Sequence, residues 1–126
     1  MDKRTIGTKY EQFATQYLIK RGAYIIETNY HFHKMGEIDI IYFDNVIENG
    51  KTVKYLCFGE VKYRKKNNLY NAEYAVDFPK RKRISNTAYG YIKERNISPD
   101  HPMRFDIIAI DGDCINWIKN AFYPVS

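Results

Sequence analysis

Asn49-Gly50 lies between two apolar runs, and no other short-range feature of the chain signals a tight β-hairpin so strongly. If the pair forms a two-residue turn, residues facing each other across the hairpin have numbers that sum to 99. Ile41 then faces Phe58 and Phe43 faces Leu56, the apolar pairs that a buried sheet face requires. In the same register Asp39 faces Glu60 and Glu37 faces Lys62. Strand alternation places Glu37, Asp39, Ile41 and Phe43 on one side, with Leu56, Phe58, Glu60 and Lys62. An apolar floor therefore leads directly into three carboxylates and one ammonium.

Directly opposed residues have Cβ atoms only about 5 Å apart, and like charges there destabilise the pair. Asp39 and Glu60 should share either a proton or a cation. Two carboxylates at that separation, with backbone carbonyls such as that of Val61 nearby, suit a hard divalent ion, Mg²⁺ or Mn²⁺. A bulge near the hairpin tip would shift the register by one and remove the opposition. Glu11, spaced i, i+3, i+7 with Ala14 and Leu18, falls on the edge of an apolar helix stripe, where a carboxylate must meet a donor or a cation. Plainer readings stand beside these: Glu37 with Lys62 as an ordinary cross-strand ion pair, and Glu11 as a surface charge at a helix edge.

The rest of the chain supplies the frame. Ile6, Tyr10, Phe13, Ala14, Tyr17 and Leu18 recur at three- and four-residue steps, predicting an amphipathic helix that stops near Gly22. Strands are expected over 24–32, 37–43 and 55–63, followed by a helix capped by Asp77, with Pro79 in its first turn and Ile84, Ala88, Tyr91 and Ile92 as its apolar stripe. Two more strands, 105–110 and 114–118, meet at Asp111-Gly112-Asp113. The order αβββαββ calls for an α/β architecture in which a single mixed five-stranded sheet is flanked by helices. At 126 residues this is one domain, 1–126.

Charge narrows the partner. Twenty Lys+Arg against fifteen Asp+Glu gives a net charge of +5, a surplus that favours a polyanion. Lys62, Arg64, Lys65 and Lys66 form one cluster, and Lys80, Arg81, Lys82 and Arg83 a second, the latter either a solvated helix face or a phosphate contact. His31 and His33 alternate on a strand without a third ligand and read as surface residues. The twelve tyrosines fit core positions better than stacking platforms. Cys57 and Cys114 match no metal-finger or redox spacing and read as reduced, small apolar strand residues. The start of the chain has no apolar run behind its basic residues, and no stretch nears the roughly 20 apolar residues of a membrane span. The expected location is the cytoplasm, with no membrane partner.

Gly36-Glu37-Ile38-Asp39 followed by Glu60-Val61-Lys62 resembles the bipartite signature of the PD-(D/E)xK nuclease superfamily. The closer resemblance is to the bacterial YraN family of endonuclease-like proteins, itself similar to archaeal Holliday junction resolvases. It runs from Gly7 to Phe122 and includes Glu11, Asn29, Phe58 to Arg64, Ala75-Val76, Lys80, Arg104-Phe105-Asp106 and Asn120-Ala121-Phe122. The resemblance implies a restriction-endonuclease-like fold and a catalytic set of Glu11, Asp39, Glu60 and Lys62. It makes Asp39 and Glu60, with the Val61 carbonyl, the ligands of Mg²⁺ or Mn²⁺. Lys62 would stabilise the nucleophile or the charge developing on phosphorus, with Glu37 as an accessory acid. Three features depart from the pattern: His31 where relatives often carry Arg, Gly59 where an apolar residue is usual, and a long loop around Glu48–Thr52.

The function expected from these residues is metal-dependent endonucleolytic hydrolysis of DNA, branched or junction DNA included, in repair or recombination. Arg64, Lys65, Lys66, Lys80, Lys82 and Arg83 would hold the phosphate backbone without selecting bases, and a homodimer would suit a two-fold junction. The rivals are a non-catalytic nucleic-acid-binding protein with a structural metal site, and a module that binds a protein partner.

Overall fold

A computed structural model describes residues 3–64 and 76–125, with side chains for 9–63 and 76–125. The elements follow the expected order: α1 (Lys3–Lys20), β1 (Tyr24–Phe32), β2 (Gly36–Glu48), β3 (Lys51–Arg64), α2 (Phe78–Glu94), β4 (Met103–Asp111) and β5 (Cys114–Phe122). The sheet runs β1-β2-β3-β4-β5. β3 and β4 are parallel, and every other neighbouring pair is antiparallel. The long connection through α2 is what lets β4 return parallel to β3.

The hairpin forms as its turn residues dictate. Asn49 at φ 50° and Gly50 at φ 76° are both left-handed, the requirement of a type I′ turn. All paired residues of β2 and β3, from Glu48↔Lys51 to Ile40↔Gly59, keep numbers that sum to 99. Both strands run further toward the turn than the apolar pattern indicates. Asp44, a polar break in that pattern, is buried because Arg104 pairs with it at 2.9 Å.

One helix covers each face. Ala14 and Leu18 of α1 are fully buried against Ile40, Tyr42, Cys57 and Ile108. Ile84, Ala88, Tyr91 and Ile92 of α2 pack on Ile41, Leu56, Phe58, Phe105 and Ile107. Asp77 caps α2 by accepting the Lys80 N–H at 2.9 Å, and Pro79 follows in the first turn. Gly59, which departs from the apolar residue usual in the resembled family, leaves room for its neighbours: a Cβ there would meet Ile108 at 2.9 Å and the Tyr42 ring at 3.0 Å.

Two packing expectations, for Phe13 and for the tyrosines, are corrected. Phe13 is 52% exposed, because the contact with the sheet is made through the i, i+4 pair Ala14 and Leu18 and Phe13 turns away from it. Cys57 and Cys114 are both free and both lie in strands, as expected, Cys57 buried in β3 and Cys114 exposed at the outer end of β5. Tyr30, Tyr42 and Tyr91 are core residues, whereas Tyr24, Tyr63, Tyr89 and Tyr123 are exposed, so the tyrosines do not behave as a set. Among the described residues no helix is long and apolar enough to cross a membrane.

Candidate metal centre

The centre lies where β2 and β3 part. Their ladder ends at Ile40↔Gly59. From there β3 continues along β4 as far as Arg64↔Asp111, and β2 continues along β1 to Gly36. Asp39, the first residue past the ladder, closes the opening with its side chain: Oδ2 accepts the Val61 N–H at 2.8 Å. Asp39 and Glu60 are not one more rung of the ladder; the strands diverge between them, and the charge of Glu60 acts on Asp39 across the opening.

The acids do not lie on one sheet face. Tyr30 and Ile38 pair across β1 and β2 and pack on the α2 side, whereas Ile40, two residues on, packs on the α1 side. Strict alternation would keep Ile38 and Ile40 together, so it breaks between them. The partner strand breaks at the same level. Asn29, between Thr28↔Ile40 and Tyr30↔Ile38, adopts φ 53°, a left-handed conformation that asparagine tolerates better than most residues. The expected single row of Glu37, Asp39, Ile41 and Phe43 is thereby corrected. Ile41 and Phe43 belong to the α2-side core, while Glu37 and Asp39 converge with Glu11 from α1.

Carboxylate oxygens of Glu11, Glu37 and Asp39 all lie within 4.8 Å of one another. Asn29 donates its side-chain amide to Glu11, which supplies the donor that a half-buried acid requires. Even so, burial together with Glu37 and Glu60 raises the Glu11 pKa above its ordinary value. Asp39 is pushed up to about 8, first by burial and then by the charge of Glu60, with the Val61 amide pulling the other way. Burial also raises Glu60, against the pull of Lys80 and Lys62. Glu11, Glu37 and Asp39, with Glu60 close enough for its charge to act on Asp39, are an all-oxygen donor set, which fits a hard divalent cation.

Two lysines serve Glu60. Lys62, two residues on along β3, acts on it through space. Lys80 of α2 touches it, with Nζ at 3.3 Å from Oε1. The hairpin register gave no hint of this contact, because the cation comes from a helix 20 residues downstream; the Asp77 cap, which fixes where α2 begins, was the only available clue. Glu37 meets His31 at 3.9 Å on the exposed side of β1 and is not in an ion pair with Lys62. Lys82 and Arg83 are exposed on α2. The backbone of Arg64 ends β3; its side chain, Lys65 and Lys66 lie outside the described residues.

Away from this centre, Asp106 organises a buried polar cluster whose members the sequence did not connect. Arg104 binds it through Nε at 2.8 Å and Nη2 at 2.7 Å, and Trp117 Nε1 and the Asn120 amide add bonds at 3.0 and 2.9 Å. Arg104 also reaches Asp44 at 2.9 Å, as does Lys119. Every charge here has a partner of opposite sign, which marks a structural tie between β2, β4 and β5.

Comparison with known proteins adds the family. A family model described as "Uncharacterised protein family UPF0102" matches residues 10–110. This is the YraN family that the motifs resemble. A UPF0102 protein of Pseudoalteromonas translucida is 36% identical over 124 residues, which is 96% of this chain and 93% of that protein. One from Pseudomonas syringae pv. syringae is 35% identical over 95% of this chain and 94% of its own length. One from Francisella tularensis subsp. tularensis is 38% identical, covering 93% of each.

Proposed function

The chain belongs to the UPF0102 family, and from that premise we propose that it is a metal-dependent endonuclease that hydrolyses DNA phosphodiester bonds. The observation that carries this reading is the convergence of Glu11, Glu37 and Asp39 at the parting of β2 and β3, with Glu60 and Lys62 alongside. Asp39 and Glu60, joined by the Val61 carbonyl, are the residues to hold Mg²⁺ or Mn²⁺. Such an ion lowers the pKa of water and offsets charge on phosphate oxygens.

Each side chain then has work suited to its chemistry. Asp39 keeps its position by holding the Val61 amide with one oxygen, leaving the other for the ion. Lys62 offers a compact point charge with three donors, which steadies negative charge as it builds on the phosphoryl oxygens. Glu11, its carboxylate oriented by Asn29, accepts a proton from the attacking water. Lys82 and Arg83 on α2 contact phosphates and not bases, consistent with the chain's +5 charge. Branched DNA is the substrate class that the resolvase-like motifs favour, cut by a two-fold dimer.

One observation favours the rival, a DNA-binding protein without catalysis: Glu60 already has a cation in Lys80. Incubating linear and four-way-junction DNA with Mg²⁺, Mn²⁺ or chelator separates the two. A nuclease cuts only with metal and loses cutting in Glu60→Ala; a binder shifts both DNAs in chelator and cuts neither.

A further inference from the structure

The Glu60–Lys80 ion pair is the feature that the proposed chemistry leaves unused. Glu60 is 11% exposed at its side chain, and a carboxylate so placed needs a positive partner. Lys80 fills that need in an unexpected place. It sits in the first turn of α2, where the helix dipole disfavours a cation, so its position is explained by Glu60 and not by the helix.

Three properties make the contact exchangeable. It is a single bond from a flexible ammonium to one oxygen, without the planar two-point grip of an arginine. The Lys80 side chain is 38% exposed, so its charged end has an open route to solvent or to a bound phosphate. Its backbone is pinned by the Asp77 cap at 2.9 Å, so the ammonium swings from a fixed root and stays within reach of anything bound at Glu60. An ammonium and a divalent ion cannot both sit against the same buried carboxylate without strong repulsion.

On the reading of these acids as a metal centre, we infer that Lys80 is an exchangeable cation of the site. It neutralises Glu60 in the metal-free protein and is displaced onto a substrate phosphate when a divalent ion takes the carboxylate. The same residue thus opposes metal binding without DNA and assists it with DNA. Metal and phosphate backbone are then coupled, each raising the affinity for the other.

The test is calorimetric titration of the full chain with Mn²⁺ alone, in the absence of DNA, for the native protein and Lys80→Met, Lys80→Arg and Lys82→Met. Exchange predicts that Lys80→Met binds Mn²⁺ about tenfold more tightly, while Lys80→Arg stays within threefold of native. Lys82→Met removes the same charge from the same helix without touching Glu60, and should leave affinity unchanged. If Lys80→Met fails to fold by circular dichroism, Lys80→Gln takes its place. Equal affinity in all four proteins overturns the exchange and leaves the metal centre standing, as does a gain in Lys82→Met equal to that in Lys80→Met. Weaker binding in Lys80→Met also overturns it, because Lys80 would then be holding Glu60 in its ligating position. No Mn²⁺ binding by any of the proteins overturns the metal centre, and the exchange with it.

Discussion

Asp39 Oδ2 takes the Val61 N–H at 2.8 Å, one residue beyond the last rung that joins β2 to β3. That bond substitutes a side chain for the missing ladder partner. It also fixes a carboxylate at the mouth of the opening while the strands carrying Asp39 and Glu60 diverge. Burial there, and then the charge of Glu60, raises the proton affinity of Asp39, while the Val61 amide pulls the other way.

The consequence for stability follows from the sign of that shift. Asp39 has a folded-state pKa of about 8 against an ordinary value of 3.8, so the metal-free native state retains a proton that the unfolded chain releases. The stabilisation is complete below the unfolded pKa and is lost as pH rises through the folded one. Thermal unfolding in chelator should therefore show stability falling between about pH 4 and about pH 8. Asp39→Asn, which keeps an oxygen for the Val61 amide, should flatten that slope and be the more stable protein at pH 8. An Asn variant with the native slope would show that another group governs it.

Metal binding must reverse the same protonation. At neutral pH an ion that takes the Asp39 carboxylate has to expel its proton. Mn²⁺ titrations in two buffers of different ionisation enthalpy should therefore differ in apparent heat, by an amount corresponding to release of up to about one proton. The difference should vanish in Asp39→Asn. Identical heats in both buffers for the native protein would mean that the ion does not bind through Asp39.

Much of this centre was legible in the sequence, because the Asn49-Gly50 turn sets a register that survives through nine pairs to Ile40↔Gly59. That register brought Asp39 near Glu60 on pattern alone. It could not foresee that the ladder stops there, since stopping depends on β3 following β4 and β2 following β1. Nor could a period of two anticipate the break between Ile38 and Ile40, which goes with Asn29 at φ 53° in the neighbouring strand. The contacts from helices were harder still. Lys80 was visible as part of a basic run, but its reach to Glu60 depends on how α2 lies on the sheet. Arg104 and Asp106 stood two residues apart in plain view, yet their pairing is a fact of burial and not of spacing.

Lys62 and Glu60 should separate in their effects. Lys62 donates no electron pair to an ion, so Lys62→Ala should abolish cleavage, by on the order of a hundredfold or more, while changing Mn²⁺ affinity little. Glu60→Ala should abolish both. Comparable losses of Mn²⁺ affinity in the two variants would remove Lys62 from its assigned role in the chemistry.

The Asp106 cluster predicts an effect on folding alone. Asp106→Ala leaves the buried Arg104 with Asp44 as its sole acidic contact among the described ion pairs, and breaking a buried pair in this way costs about 3–5 kcal/mol. Denaturant unfolding should show a loss of that order. Cleavage per folded molecule, measured at a temperature where the variant remains native, should stay within a few-fold of the native protein.

Asn29 offers two properties that can be removed one at a time. Its backbone is left-handed at φ 53°, and its amide donates to Glu11. Asn29→Gly keeps the first property, since glycine has no Cβ to oppose that conformation, and loses the second. Asn29→Ala loses both, and forcing a Cβ into the left-handed region costs roughly 1–2 kcal/mol. The Ala variant should therefore be measurably less stable than the Gly variant. Both should lose activity alike, roughly tenfold, because both release Glu11 from its orienting bond. The donor also lowers the Glu11 pKa, so its loss should move the acid limb of the pH–rate profile upward in both variants. Native-like activity in Asn29→Gly, with loss confined to Asn29→Ala, would show that the strand's conformation matters and the hydrogen bond does not.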